Sequence, residues 1–187
     1  DLRCGHCTLR PRVEAGHKIT IPERWKVSGL ARADAALVST RDGKPAFGGT
    51  PADLSVIRAI RDLKARGLRA VFYPFVLMDI AEGNALPDPW SGGTGQPAYP
   101  WRGRITCDPA PGRAGTADKT AAAAAQVAQF FGTAGAGDFE RVGDEVRYRG
   151  PAEWSYRRMV LHYAHLCAVA GGVDAFLIGS ELRGVTQ

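Results

Sequence analysis

The sequence predicts an α/β fold, the N-terminal half of a (β/α)8 TIM barrel with long insertions in its βα loops. Two apolar runs, residues 71–78 and 173–178, carry this expectation. Neither run alternates polar with apolar residues, which is the pattern of strands buried on both faces of a parallel sheet. Helical patterns precede both runs, and strands alternating with helices build parallel sheets. Asp79 and Glu181 lie at the C-terminal ends of the runs, and barrels of this kind carry their functional groups at those ends. A full barrel needs about 250 residues, so 187 residues are expected to span the first half plus insertions, as one portion of a longer polypeptide.

The elements follow in order. Residues 1–50 read as irregular, with turn signals at Arg10-Pro11, Asp42-Gly43 and Gly48-Gly49 and short extended pieces near 24–28 and 35–40. Thr50-Pro51-Ala52-Asp53 supplies an N-cap, a first-turn proline and an acid for a helix. In that helix Leu54, Ile57, Ile60 and Leu63 recur at helical spacing, and Gly67 closes it. Pro74 cannot donate to a strand ladder, so a bend is expected there. A loop over 80–115, rich in glycine and proline, is long enough to be functional. Thr116 is expected to cap a helix over 117–131, and 139–149 reads as a hairpin turning at Gly143-Asp144. A second long helix is expected from Pro151 to Ala170, broken by Gly171-Gly172 before the second apolar run.

Composition narrows the class. The chain is 45% hydrophobic and 23% charged, ordinary for a globular domain. No stretch approaches 18 apolar residues, so no membrane-spanning segment is expected. The net charge is +5, but the basic residues are scattered and never form a run of five. A nucleic-acid partner is therefore not expected.

The cysteines are Cys4, Cys7, Cys107 and Cys167. Cys4 and Cys7 form a CxxC without a second pair, which favours reduced or locally bridged thiols over a metal site. Cys167 reads as a small core residue. His162 and His165 share a helix face, and without neighbouring acids they read as packing. Neither a metal nor a cofactor is expected, and no phosphate cradle or P-loop is present.

Glu181 is the catalytic candidate. A carboxylate after Gly179-Ser180 at a strand end can serve as a general acid. The competing reading is a structural acid paired with Arg183 or Arg104. Trp90, Tyr99 and Trp101 offer aromatic faces to sugar rings, or else pin the loop to the body. Arg102 and Arg104 suit a carboxylate-bearing substrate, or else pair with Asp108. Asp79 is a candidate substrate acceptor, and Arg183 completes the substrate-binding set.

Several stretches carry a resemblance: Asp1-Leu-Arg-Cys-Gly-His-Cys-Thr-Leu-Arg-Pro11, Ala65-Arg-Gly-Leu-Arg-Ala-Val-Phe-Tyr-Pro-Phe-Val-Leu-Met-Asp79, Tyr99-Pro-Trp-Arg-Gly-Arg-Ile-Thr-Cys107 and Phe176-Leu-Ile-Gly-Ser-Glu-Leu-Arg-Gly184. Together they resemble the TIM-barrel-like glycoside hydrolase domain of the gene transfer agent and phage-tail "megatron" baseplate protein. The resemblance implies a retaining glycosidase-like barrel whose fourth strand ends in the acid/base glutamate, a position that Glu181 matches. It implies a second carboxylate, the nucleophile, on a seventh strand outside this chain. It also implies a particle tail tip made in the bacterial cytoplasm, with other tail or baseplate proteins and a cell-wall or surface polysaccharide such as peptidoglycan as partners. Asp79, Trp101 and Arg104 would line the sugar subsites. The rival expectation is an inactive barrel kept as a baseplate scaffold or glycan-binding module.

Overall fold

The structure is a computed structural model describing residues 1–15 and 24–185. The N-terminal region is built from short strands: β1 (Arg12–Val13), β2 (Lys26–Val27), β3 (Leu30–Ala31), β4 (Ala36–Leu37), β5 (Thr40–Arg41) and β6 (Lys44–Pro45). β1 pairs with β4 in parallel, while β2–β3 and β5–β6 are antiparallel. Val13, Trp25, Val27 and Ala52 form a small buried cluster among them.

Helix α1 (Asp53–Ala65) follows. Thr50 does not cap it. Its hydroxyl accepts from Arg12 N at 3.2 Å and its carbonyl accepts from Trp25 Nε1 at 2.9 Å, so the N-terminal strands occupy its polar groups. The cap residue is Ala52, which has no side-chain acceptor. Ile57 and Ile60 are buried as the spacing requires, whereas Leu63 is 38% exposed. Gly67 ends the helix at φ 73°, a left-handed conformation that glycine adopts without strain. Leu68 N bonds to Leu63 O and Gly67 N to Lys64 O, the paired bonds of a Schellman stop.

The first apolar run enters β7 (Val71–Phe72), and the second forms β10 (Ala175–Phe176). They pair directly and in parallel, with Val71 opposite Ala175 and Phe72 opposite Phe176. The regular ladder is shorter than either run. Beyond it the chain runs on without ladder pairing through the buried Pro74, which has no N–H to donate. The bend expected there is not present. One face of the pair is covered: Phe72 lies 5.3 Å from Tyr163 and 5.8 Å from Phe176, over Ile57, Ile60, Leu166 and Cys167. The expected burial on both faces is not met among the described residues. Val71 is 61% exposed, Phe75 54%, Leu77 52% and Ile178 67%. No closed barrel is formed by the described residues.

Helix α2 (Ala121–Phe131) starts later than the sequence predicts. Thr116 accepts from Asp118 N in a turn of its own, Lys119 takes φ 58°, and Thr120 supplies the cap to Ala123 N. The hairpin of β8 (Phe139–Val142) and β9 (Glu145–Tyr148) turns at Gly143-Asp144 as expected. Helix α3 (Tyr156–Val169) is likewise shorter than expected, because Ser155 rather than Pro151 opens it, accepting from Arg158 N at 3.2 Å. Gly171 and Gly172, both at positive φ, end it. Glu153 binds the turn after α2 to this cap, accepting from Thr133 N, Ala134 N and Ser155 Oγ. Phe130 and Tyr156 stack at 5.1 Å in the cluster that also holds Leu2, Cys4, Met78 and Ile105. Among the described residues, no helix is long and apolar enough to cross a membrane.

Candidate functional site

The chain after β10 turns sharply through Gly179-Ser180-Glu181, and Glu181 sits at φ 58°. Gly179 is required here, because a Cβ on it would collide with the Tyr156 hydroxyl, which donates to Ile178 O. The turn presents the Glu181 carboxylate to the long loop. Trp101 Nε1 donates to Glu181 Oε2 at 2.9 Å, and Arg102 Nη2 lies 2.6 Å from the same oxygen. Trp101 is 49% exposed. Its indole lies against Gly103, where a Cβ would clash with the ring.

Arg102 organises the site. It is 6% exposed, and it donates through Nε to Ser180 O at 3.1 Å and through Nη2 to Tyr73 Oη at 3.1 Å and Ser180 Oγ at 3.2 Å. Its guanidinium lies 3.7 Å from the centre of the Phe75 ring, a cation–π contact that helps keep a buried charge in place. Tyr73 and Ser180 also share a hydrogen bond. Residues from β7's continuation, from the loop and from the turn after β10 thus converge on one carboxylate. Glu181, Trp101 and Arg102 were all legible as candidates. The supporting Tyr73, Phe75 and Ser180 were not, because they read only as parts of an apolar run and a turn.

The other candidates are dispersed. Asp79 accepts from Ser39 N and Ser39 Oγ and pairs with Arg12 Nε at 2.9 Å. It therefore holds the N-terminal strands and does not reach Glu181. Tyr99 donates to Thr40 O at 2.9 Å and meets Phe47 edge-on at 5.8 Å, so it anchors the loop. Trp90 donates to Arg104 O at 2.9 Å, and Arg104 lies over its ring at 5.1 Å. These two satisfy each other, and the donors to the Glu181 carboxylate are Trp101 and Arg102 instead. Arg183 lies in a short turn, residues 183–185, and is exposed. The ion-pair partner of Glu181 is Arg102, in place of the anticipated Arg183 or Arg104.

A cavity of about 500 Å³ lies beside residues 72–79, with Asp79, Arg12, Arg158 and His162 in its wall. Glu181 does not line it. His162 and His165 are separated in role: His162 Nε2 donates to Asp53 Oδ1 at 2.8 Å, and His165 stacks on Phe139 at 5.2 Å. Among the described residues, no group of three His, Cys, Asp or Glu side chains is placed to hold a metal ion. All four cysteines are free thiols. Cys167 is buried in the α1–α3 core, as expected.

Residues 154–187 match the family model described as the GTA TIM-barrel-like domain. The matched segment takes in α3, β10 and the turn bearing Glu181. It fits a gene transfer agent domain and associates this part of the chain with a phage-related particle. No curated protein matches the chain.

Proposed function

We propose that the chain is the N-terminal portion of a TIM-barrel-like, glycoside hydrolase-like domain of a gene transfer agent or phage tail-tip protein, directed at a cell-envelope polysaccharide such as peptidoglycan. The observation that carries this reading is the convergence of Trp101 and Arg102 on Glu181 at a strand C-terminus. An exposed indole suits the apolar face of a pyranose, and a carboxylate beside it accepts from sugar hydroxyls. Glu181 Oε2 faces two donors, so Oε1 is the oxygen left to meet a glycosidic oxygen or a sugar hydroxyl. Retaining hydrolysis then needs a second carboxylate about 5–5.5 Å away, which further strands of a completed barrel would supply.

A second reading, glycan binding without cleavage or a purely structural baseplate role, is favoured by one observation. Asp79, the other strand-end carboxylate, is already paired with Arg12 and Ser39.

Sedimentation with purified peptidoglycan sacculi tests the proposal. The chain should co-sediment, and Trp101→Ala should weaken binding about tenfold, the scale of a lost stacking contact. Equal binding by wild type and Trp101→Ala, or none by either, would remove the carbohydrate assignment. Release of reducing ends that disappears in Glu181→Gln, with binding kept, would separate the enzyme from the binding module.

A further inference from the structure

The N-terminal segment and the segment ahead of α2 run side by side. Thr106 N donates to Leu2 O and Cys4 N donates to Thr106 O, both at 2.9 Å. These two bonds close a parallel bridge between Arg3 and Thr106. The next residue on each segment is a cysteine, Cys4 on one and Cys107 on the other. Bridged residues of neighbouring strands lie about 5 Å apart, within the roughly 4.4–6.8 Å between Cα atoms that a disulfide accepts. One step past the bridge Cys4 opens a short turn over Cys4–His6, and Cys107 Sγ donates to Pro109 O at 3.5 Å, a bond that a disulfide would replace. Both side chains are buried, at 0% and 4% exposure, and Gln126 of α2 meets Cys4 and the residue after Cys107. Gln126 Oε1 accepts from Asp108 N at 2.7 Å and lies 3.9 Å from Cys4 Sγ. Burial, followed by the proximity of Cys107, pushes the Cys4 thiol up to about 11. Cys7, the other member of the CxxC, is turned elsewhere, with its Sγ donating to Asp1 O at 2.7 Å.

We propose that Cys4 and Cys107, free thiols in this structure, oxidise to a disulfide, a covalent modification site that staples the N-terminal segment to the stretch carrying Trp101 and Arg102. Oxidised glutathione is the class of oxidant. Cys4 gives up its proton, and its thiolate attacks one glutathione sulfur, breaking that S–S bond and releasing one glutathione thiolate. The Cys107 thiolate then attacks the Cys4 sulfur and expels the second glutathione. Two protein thiols lose two electrons, one glutathione disulfide becomes two thiols, and the two protons pass to them. Because the folded thiols are buried, the link forms as the chain folds and is then protected. It acts on the candidate site through packing: a Cβ on Gly184 would strike Ile105 O, so residues 105–107 lie between the N-terminal segment and the turn that follows Glu181.

The test is refolding of the whole chain from denaturant and reductant into a reduced/oxidised glutathione buffer. Remaining thiols are then alkylated, and the chain is digested with trypsin and analysed by mass spectrometry without reduction. Peptides 4–12, alkylated at Cys7, and 105–113 should appear joined, two hydrogens lighter than the sum of the singly alkylated 4–12 and the free 105–113. Cys7→Ser should keep the link, and Cys4→Ser or Cys107→Ser should lose it. The oxidised wild type should melt several degrees above the same protein in dithiothreitol, a gap absent in Cys107→Ser. A link closed within 4–12, one that survives Cys4→Ser, one reaching Cys167, or complete alkylation of all four thiols would each overturn the proposal.

Discussion

Arg102 Nη2 lies 2.6 Å from Glu181 Oε2, and the two partners differ sharply in exposure: the guanidinium side chain is 6% exposed and the carboxylate side chain 49%. The buried partner is fixed by Ser180 O, Ser180 Oγ, Tyr73 Oη and the Phe75 ring. The exposed partner is therefore the one free to meet a ligand, and the pair acts as a rigid mount for a carboxylate at the end of a strand.

That asymmetry predicts unequal mutational costs. Arg102→Ala strips donors from Ser180 and Tyr73 and empties the space over Phe75, and should cost about 3 kcal/mol. Glu181→Gln keeps an acceptor for Trp101 and sits half in solvent, so it should cost under about 1 kcal/mol. Urea unfolding of both variants checks the difference. Equal costs would mean that Arg102 does not organise the site.

A second prediction concerns acid. Burial works against ionisation of Glu153, but donation from Ser155, Thr133 and Ala134 outweighs it and holds the carboxyl at about 2, down from 4.5. A depressed folded-state value contributes stability that is fully present above the unfolded value and is lost as pH falls through the folded one. Wild type should therefore lose this contribution between about pH 4.5 and pH 2. Glu153→Gln should be less stable at neutral pH and show a flatter decline across that window. Urea midpoints measured at intervals from pH 7 to about pH 2 provide the check, and parallel curves for the two proteins would contradict it.

A third prediction concerns the joint between α1 and α3. Asp53 accepts from His162 Nε2 at 2.8 Å and from Ser28 N at 3.0 Å, and His162 is 2% exposed. Asp53→Ala leaves two buried donors without an acceptor and should cost about 2–4 kcal/mol. His162→Leu should cost less, since it removes a polar group whose Nδ1 already lacks a partner. In a double-mutant cycle the two changes should couple by about 1 kcal/mol or more.

The sequence makes local features legible where a short-range rule decides them. Gly67, Gly143 and Gly171 mark real stops and turns because each needs positive φ. The two apolar runs enter one parallel pair; their composition implies a parallel sheet, and their adjacency is visible only in the structure. Helices start later than the signals at Thr50, Thr116 and Pro151 predict. In the first two cases a plausible cap hydroxyl is engaged by another segment or turn; in the third the cap role falls to Ser155. Long-range partners of that kind leave no periodic trace. The same limit applies at the site. Glu181 and Arg102 can be picked out by type and position, but their long-range pairing cannot. The dispersal of Asp79 and Tyr99 follows from partners distant in sequence, Arg12 and Thr40, which the strand-end rule does not anticipate.

The last prediction concerns the exposed apolar side chains of the β7–β10 pair and its continuation. Val71, Phe75, Leu77, Leu177 and Ile178 are all at least 40% exposed, and apolar surface left in water forgoes about 25 cal/mol per Å². A two-stranded sheet with an uncovered apolar face is marginal alone and prone to pair with other chains. The isolated chain should therefore bind a hydrophobic dye and associate as its concentration rises. Val71→Thr with Leu77→Gln should reduce both effects while leaving the melting temperature nearly unchanged, since neither side chain supports the α1–α3 core. Phe75 is left out because it carries the Arg102 contact. Size-exclusion chromatography across a concentration series decides the point. A wild type that stays monomeric and dye-negative throughout would show that these side chains do not need a cover.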